Sequence, residues 1–164
     1  MFAKADGLPT RTGARIIMSE QLNVAFIKAG WHGDIVSQAL TGFTEDMEAS
    51  GAACALDVVD VPGAFEMPLQ AMRLAATGKY DAIVAAALVV DGGIYRHDFV
   101  AQAVVDGLMR VQLDTDVPTF SVSLTPHHFQ PTEEHQTFYF EHFVKKGAEA
   151  ARAVRGIAAL APKG

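Results

Sequence analysis

At 164 residues, half of them apolar and a fifth charged, the chain is long enough for one domain with a substantial core. A formal charge of −6 and the lack of any lysine- or arginine-rich stripe argue against a nucleic-acid partner. No apolar run approaches ~20 residues, so no membrane span is expected. The single cysteine, Cys54, excludes an internal disulfide framework and fits a reducing, cytoplasmic setting.

Residues 1–20 mix Lys4, Asp6, Pro9, Arg11 and Arg15 without the apolar stretch of a secretory signal. They read as a flexible tail, with Met18 as an alternative start. One α/β domain is expected over 21–158, followed by a C-terminal tail, 159–164. Leu22–Ala29 is a short apolar strand that stops at Gly30-Trp31-His32-Gly33, a loop holding the only tryptophan. The first helix begins near Asp34, carries Ile35, Val36, Ala39, Leu40, Phe43 and Met47 at helical spacing, and ends at Gly51. Leu56–Val61 is the second strand, its two acids suiting a sheet edge, with Cys54 just before it read as a small core or edge residue. Pro62-Gly63-Ala64 leads into a second helix whose expected apolar face is Phe65, Leu69, Met72, Leu74 and Ala76.

Ala82–Val90 is the most hydrophobic strand and is expected to be central. Asp91, Gly92 and Gly93 break it, and a third helix starts near Asp98 with Val100, Val104, Leu108 and Val111 inward. Pro118–Leu124 is the fourth strand. A loop with His127 and His128 follows. The last helix starts at Thr132-Glu133-Glu134, an acidic N-terminus, and carries Phe138, Phe143, Ala148, Ala151 and Val154. This alternation predicts a three-layer α/β/α sandwich around a four-stranded parallel sheet, with helices on both faces. The loops at 30–33, 61–66, 91–97 and 125–131 each follow a strand's C-terminal end, so a parallel sheet gathers them on one edge as a single site.

Each loop has chemistry to offer beside a plainer structural reading. Trp31 gives a flat face for a planar heterocycle, or packs on a neighbouring helix. Pro62-Gly63 leaves N–H groups of the next helical turn for a polar ligand, and Glu66 there either caps the helix or binds hydroxyls or a ring N–H. Gly92-Gly93 suits phosphate or is an ordinary turn; it is neither a Walker loop nor a dinucleotide fingerprint. Arg96 supplies a permanent cation, His97 a proton carrier near neutral pH, and Asp98 a helix cap. His128, His135 and His142 recur every seven residues, whereas a helical metal pair is normally four apart, so no metal is expected and a histidine-lined solvent or subunit face is.

Three blocks taken together resemble 6,7-dimethyl-8-ribityllumazine synthase. They are Val61-Pro62-Gly63-Ala64-Phe65-Glu66-Met67-Pro68, Val89-Val90-Asp91-Gly92-Gly93-Ile94-Tyr95-Arg96-His97-Asp98-Phe99-Val100, and Leu124-Thr125. The similarity spans about residues 20–158, and the middle block looks like the divergent second type of this enzyme. The resemblance implies condensation of 5-amino-6-(D-ribitylamino)uracil with 3,4-dihydroxy-2-butanone 4-phosphate, releasing phosphate and water, in the penultimate step of riboflavin biosynthesis. It implies a flavodoxin-like three-layer α/β/α protomer and no cofactor or metal. By position it implies that Trp31 stacks on the pyrimidine, that Ala64, Phe65 and Glu66 hold ring and ribityl chain, and that Leu88, Val89 and Val90 read the pyrimidine edge. Gly93 and Ile94, with Gly92 before them, match the phosphate turn.

The chain departs from the common family pattern at several of these places. Asp91 stands where an arginine is usual, and Arg96 stands at the catalytic histidine's position with His97 one residue on. Either His97 carries the proton transfer or Arg96 stabilises charge at a lower rate. Ser121 aligns with a usual aromatic. The family's phosphate-binding arginine is missing, which leaves His127, His128, His135 or His142 as substitutes. The resemblance also implies sites between subunits of a homopentamer, or of paired pentamers (a decamer), and the aromatic run Phe138, Tyr139, Phe140, Phe143 fits a subunit interface as well as a core. The rival to an active enzyme is a weakly active paralogue that carries or senses a flavin or lumazine.

Overall fold

The computed structural model describes residues 21–91 and 96–162. The expected N-terminal tail, the end of the C-terminal tail, and Gly92, Gly93, Ile94 and Tyr95 lie outside them. Strands β1 (Leu22–Ala29), β2 (Cys54–Val61), β3 (Ala82–Leu88) and β4 (Thr119–Leu124) alternate with helices α1 (Gly33–Ser50), α2 (Met67–Ala76), α3 (His97–Thr115) and α4 (Glu133–Ala159). A single 3₁₀ turn, Ala64–Glu66, precedes α2. All strand pairs are parallel, in the order β2-β1-β3-β4.

Every residue of β3 is buried. Alternate residues point to opposite faces of the strand, and they divide the core in two. Ile83, Ala85 and Ala87 join Ala25 and Ile27 of β1 beneath α2 and α3. Val84, Ala86 and Leu88 join Val24 and Phe26 beneath α1 and α4. The three-layer architecture follows, because each helix pair has one apolar sheet face to cover. Acid-bearing β2 is an edge strand, as the sequence suggests. Its Asp57 accepts a hydrogen bond from Tyr80 Oη at 2.7 Å, which chiefly holds that carboxyl below its usual range and the Tyr80 hydroxyl above its own.

The closest helix contact, α1 against α4, depends on two glycines that periodicity does not single out. A methyl group added at Gly42 would overlap the Val144 carbonyl, and one at Gly147 the Ala39 carbonyl. The two backbones therefore touch directly. Beside this contact Asp46 of α1 receives Arg155 at 2.7 Å and Arg152 at 3.1 Å from α4. The Arg155 hydrogen bond is the main reason that its carboxyl lies below the ordinary range.

Two expected apolar faces are corrected. In the second helix Met72 and Leu74 pack half-buried against the core as expected. Phe65 and Leu69, however, are exposed, at 67% and 57%, Ala76 is exposed too, and Met67, Ala71 and Ala75 supply the buried face. Small side chains let α2 sit close to the sheet and to α3, where Gly107 packs against the ring of Pro68. In α4 Phe143, Ala151 and Val154 are buried as expected, Ala148 is half-buried, and Phe138 lies outward. Boundaries shift slightly. The second strand begins two residues earlier than expected, at Cys54, and the third ends at Leu88 rather than Val90, although Val89 N–H still donates to the Leu124 carbonyl at 2.8 Å. Burial pushes the half-buried Cys54 thiol up, away from the nucleophilic thiolate.

Candidate active site at the carboxyl edge of the sheet

The strand order reverses between β1 and β3: the chain moves from β1 outward to β2, then returns to lay β3 on the other side. Loops leaving the carboxyl ends of two such strands diverge and open a crevice, the usual ligand position in an open α/β sheet. The loop after β1 carries Trp31, and the segment after β3 leads to Arg96 and His97.

Trp31 is 73% exposed, an indole held out on the loop rather than packed in the core. Gly30 N–H donates to the Val61 carbonyl at 2.9 Å and so ties this loop to the end of β2. His32 adopts a left-handed backbone (φ 52°) that turns the chain sharply into α1, its carbonyl accepting from Ile35 and Val36. The Trp31 indole and the Glu66 carboxylate crowd the α-carbon of Gly63: a Cβ there would stand 3.2 Å from each. Glycine at 63 leaves room for both groups without either giving way. Glu66 makes no capping hydrogen bond to α2 despite its place at the helix start. Ala64 and exposed Phe65 share its turn, which packs against α3.

At the start of α3, one oxygen of Asp91, Oδ1, accepts the His97 backbone N–H at 2.8 Å and lies 2.8 Å from His97 Nδ1. The backbone hydrogen bond first, and the ring second, hold the Asp91 carboxyl below the usual carboxylate range. The His97 side chain is 19% exposed and that of Arg96 70%. Arg96 pairs with Asp98 at 2.9 Å and lies 4.8 Å above the Phe99 ring. The expected Asp98 cap is therefore replaced: Asp98 serves Arg96, and the helix N-terminus is met by Asp91. No local rule predicts that pairing, since the two residues are six apart along the chain. An acid just before two glycines is the only sequence signal for it.

Leu88 and Val89 are buried and Val90 is half-buried at the end of β3, with the Val89 N–H already engaged by Leu124. Gly92, Gly93 and Ile94, the expected phosphate turn, fall outside the described residues. Ser121 is exposed in the middle of β4, three residues short of the strand end, so roughly 10 Å of strand separates it from the loop edge.

His135 does reach the loops. Its Nδ1 accepts from Gln130 N–H at 3.1 Å, and its ring joins Phe129 and Tyr139 in an aromatic cluster that His32 touches from the loop after β1. His142 lies two helical turns further along α4, stacked on Phe138 with centroids 5.7 Å apart. His127 and His128 are exposed and adjacent. Among the described residues, no three histidine, cysteine or acidic side chains are grouped as metal ligands.

The sequence model of the 6,7-dimethyl-8-ribityllumazine synthase family matches residues 21–161. The chain is 63% identical, over 85% of its length and 92% of the relative's, to a 6,7-dimethyl-8-ribityllumazine synthase of Rhodococcus erythropolis. It is 57% identical, over 88% of its length and 85% of the relative's, to a 6,7-dimethyl-8-ribityllumazine synthase 2 of Pseudomonas syringae pv. tomato. A third relative, the synthase of Kineococcus radiotolerans, is 38% identical over 87% of the chain and 91% of its own length. The chain belongs to the 6,7-dimethyl-8-ribityllumazine synthase family.

Proposed function

We propose that this chain condenses 5-amino-6-(D-ribitylamino)uracil with 3,4-dihydroxy-2-butanone 4-phosphate to 6,7-dimethyl-8-ribityllumazine, releasing phosphate and water. Family membership across the whole described domain is the observation that carries this reading. The site chemistry supports it. Joining two polar reactants depends first on holding them together, and effective molarity supplies most of such an acceleration. Trp31 offers the pyrimidine a stacking face, Glu66 accepts from the ring or ribityl hydroxyls, and the strand end Leu88–Val90 flanks the heterocycle. The turn Gly92-Gly93-Ile94 takes the phosphate through backbone N–H groups. His135, already at the loop edge, is better placed than His142 to assist that phosphate.

Each new C–N bond requires protons to leave nitrogen and arrive on oxygen. As the 5-amino nitrogen bonds to the carbonyl carbon it gives up two protons in turn. Both pass through His97 to the carbonyl oxygen, whose C–O bond breaks as water leaves. Arg96, with Asp98 and Phe99 fixing it at the rim, neutralises charge on the approaching phosphate ester. Of the two, His97 is the better proton carrier, because a guanidinium does not deprotonate near neutral pH.

We place the enzyme in the cytoplasm as a homo-oligomer, a pentamer or a pair of pentamers. Support comes from large apolar side chains left in the open on a single protomer, among them Phe99, Met109, Leu113, Phe138 and Phe140. No helix of the described residues is long and apolar enough to cross a membrane.

The deciding experiment mixes purified protein with both substrates and follows lumazine fluorescence. Product formation well above the spontaneous rate is expected; a rate equal to the spontaneous one overturns the reading. His97→Ala should then lower kcat by about a hundredfold, and Arg96→Ala should act mainly on KM for the phosphate substrate.

A further inference from the structure

Asp91 and His97 stand at the two ends of the segment that contains the expected phosphate turn. A single Asp91 oxygen meets both the backbone N–H of His97 and its ring nitrogen Nδ1, each at 2.8 Å. An ionised carboxylate can only accept. Its presence at Nδ1 therefore selects the ring tautomer with hydrogen on that atom and leaves Nε2 as the nitrogen that exchanges protons. Arg96, the one neighbouring cation within the segment, is turned to Asp98 and Phe99 instead. The His97 ring is mostly enclosed, at 19% exposure, while the Asp91 carboxylate reaches it from the solvent side, at 60%.

We propose that Asp91 is a positioning residue that orients the His97 ring and fixes its tautomer, so that Nε2 carries the protons of C–N bond formation. This rests on His97 being the proton carrier of the condensation. The proton taken from the attacking nitrogen is held on Nε2 and returned to the departing oxygen, while Asp91 stays ionised throughout. No oxidant, reductant or further reactant is involved. The same carboxylate joins the segment that follows β3 to the first residue of α3.

The test uses magic-angle-spinning NMR of the sedimented full-length protein labelled with ¹⁵N-histidine. The six histidines are resolved by comparison with His97→Gln. The His97 ring is expected to carry hydrogen on Nδ1 when neutral, and in Asp91→Ala to lose that preference. Asp91→Ala should also lower kcat about ten- to a hundredfold with KM changed less than about threefold, and Asp91→Glu should recover some of the loss. In a His97→Gln background, Asp91→Ala should cost nothing further, since two residues acting as a unit are not additive.

Hydrogen on Nε2 of His97 in the unmodified protein overturns the proposal, and that measurement needs no variant to fold. Wild-type kcat in Asp91→Ala overturns it too, as does an equal loss with and without His97, which would make Asp91 a loop tie alone. If the unmodified protein makes no lumazine, the proposed function fails, and the ring measurement still decides the pairing.

Discussion

A tryptophan 73% exposed contributes little to folding, and its place on the loop after β1 suits the stacking role proposed for it. Trp31→Ala is therefore expected to leave the melting temperature nearly unchanged, within about 0.5 kcal/mol of stability. KM for the pyrimidine substrate should rise about five- to a hundredfold, from about 1–3 kcal/mol of lost stacking on a planar base. Steady-state kinetics beside a thermal melt would separate the two effects. A large loss of stability with unchanged KM would instead make Trp31 a packing residue.

Gly63 is where this tryptophan and Glu66 come side by side. Proline and glycine at 62–63 were legible as a turn, yet the glycine's second use, admitting indole and carboxylate to the same α-carbon, appears only once two loops are side by side. Asp91 is the opposite case. Read along the chain it looks like the loss of a usual arginine; in space it is the partner of His97.

Among the elements, α1 and α4 form the tightest joint. Gly42→Ala or Gly147→Ala must push apart backbones already in contact, and each is expected to cost about 3 kcal/mol or more, measured by chemical denaturation. Gly51→Ala would strain a left-handed helix end instead, a separate and smaller effect.

The same joint contributes to the acid response. Arg155 and Arg152 depress the folded-state pKa of Asp46, so its stabilising contribution is complete above the ordinary carboxylate pKa. That contribution is lost as pH falls through the depressed value. Asp57, Asp91 and Glu149 are shifted in the same direction by Tyr80, by His97 and by Lys146. The contribution of these four carboxylates should thus be complete above about pH 5 and be lost below about pH 4. Asp46→Asn should flatten that acid slope while lowering stability at neutral pH, as urea titrations across the range would record. Only part of the expected α2 face, Met72 and Leu74, turns inward. Periodicity points to the largest apolar residues, Phe65 and Leu69, but a helix lying close to a sheet of alanines has room for Ala71 and Ala75.

For the whole molecule, the aromatic side chains left outside the core ask for a cover. Sedimentation or light scattering is expected to give a mass five or ten times that of the chain. Phe138→Glu combined with Phe140→Glu, on the exposed side of α4, is expected to reduce that mass. If the double variant keeps the assembly, the interface lies on α3, at Phe99, Met109 and Leu113.

The chain's own pattern determined the alternation of strands and helices, the buried central strand, the edge position of an acid-bearing strand and the gathering of four loops on one edge. These follow from periodicity and strand direction, which are local or topological properties. Tertiary structure decided which glycines are indispensable, which face of α2 is inside, and that Asp91 belongs to His97. Those depend on the separation of packed surfaces and on which residues meet in space, distances that residue spacing along the sequence does not encode.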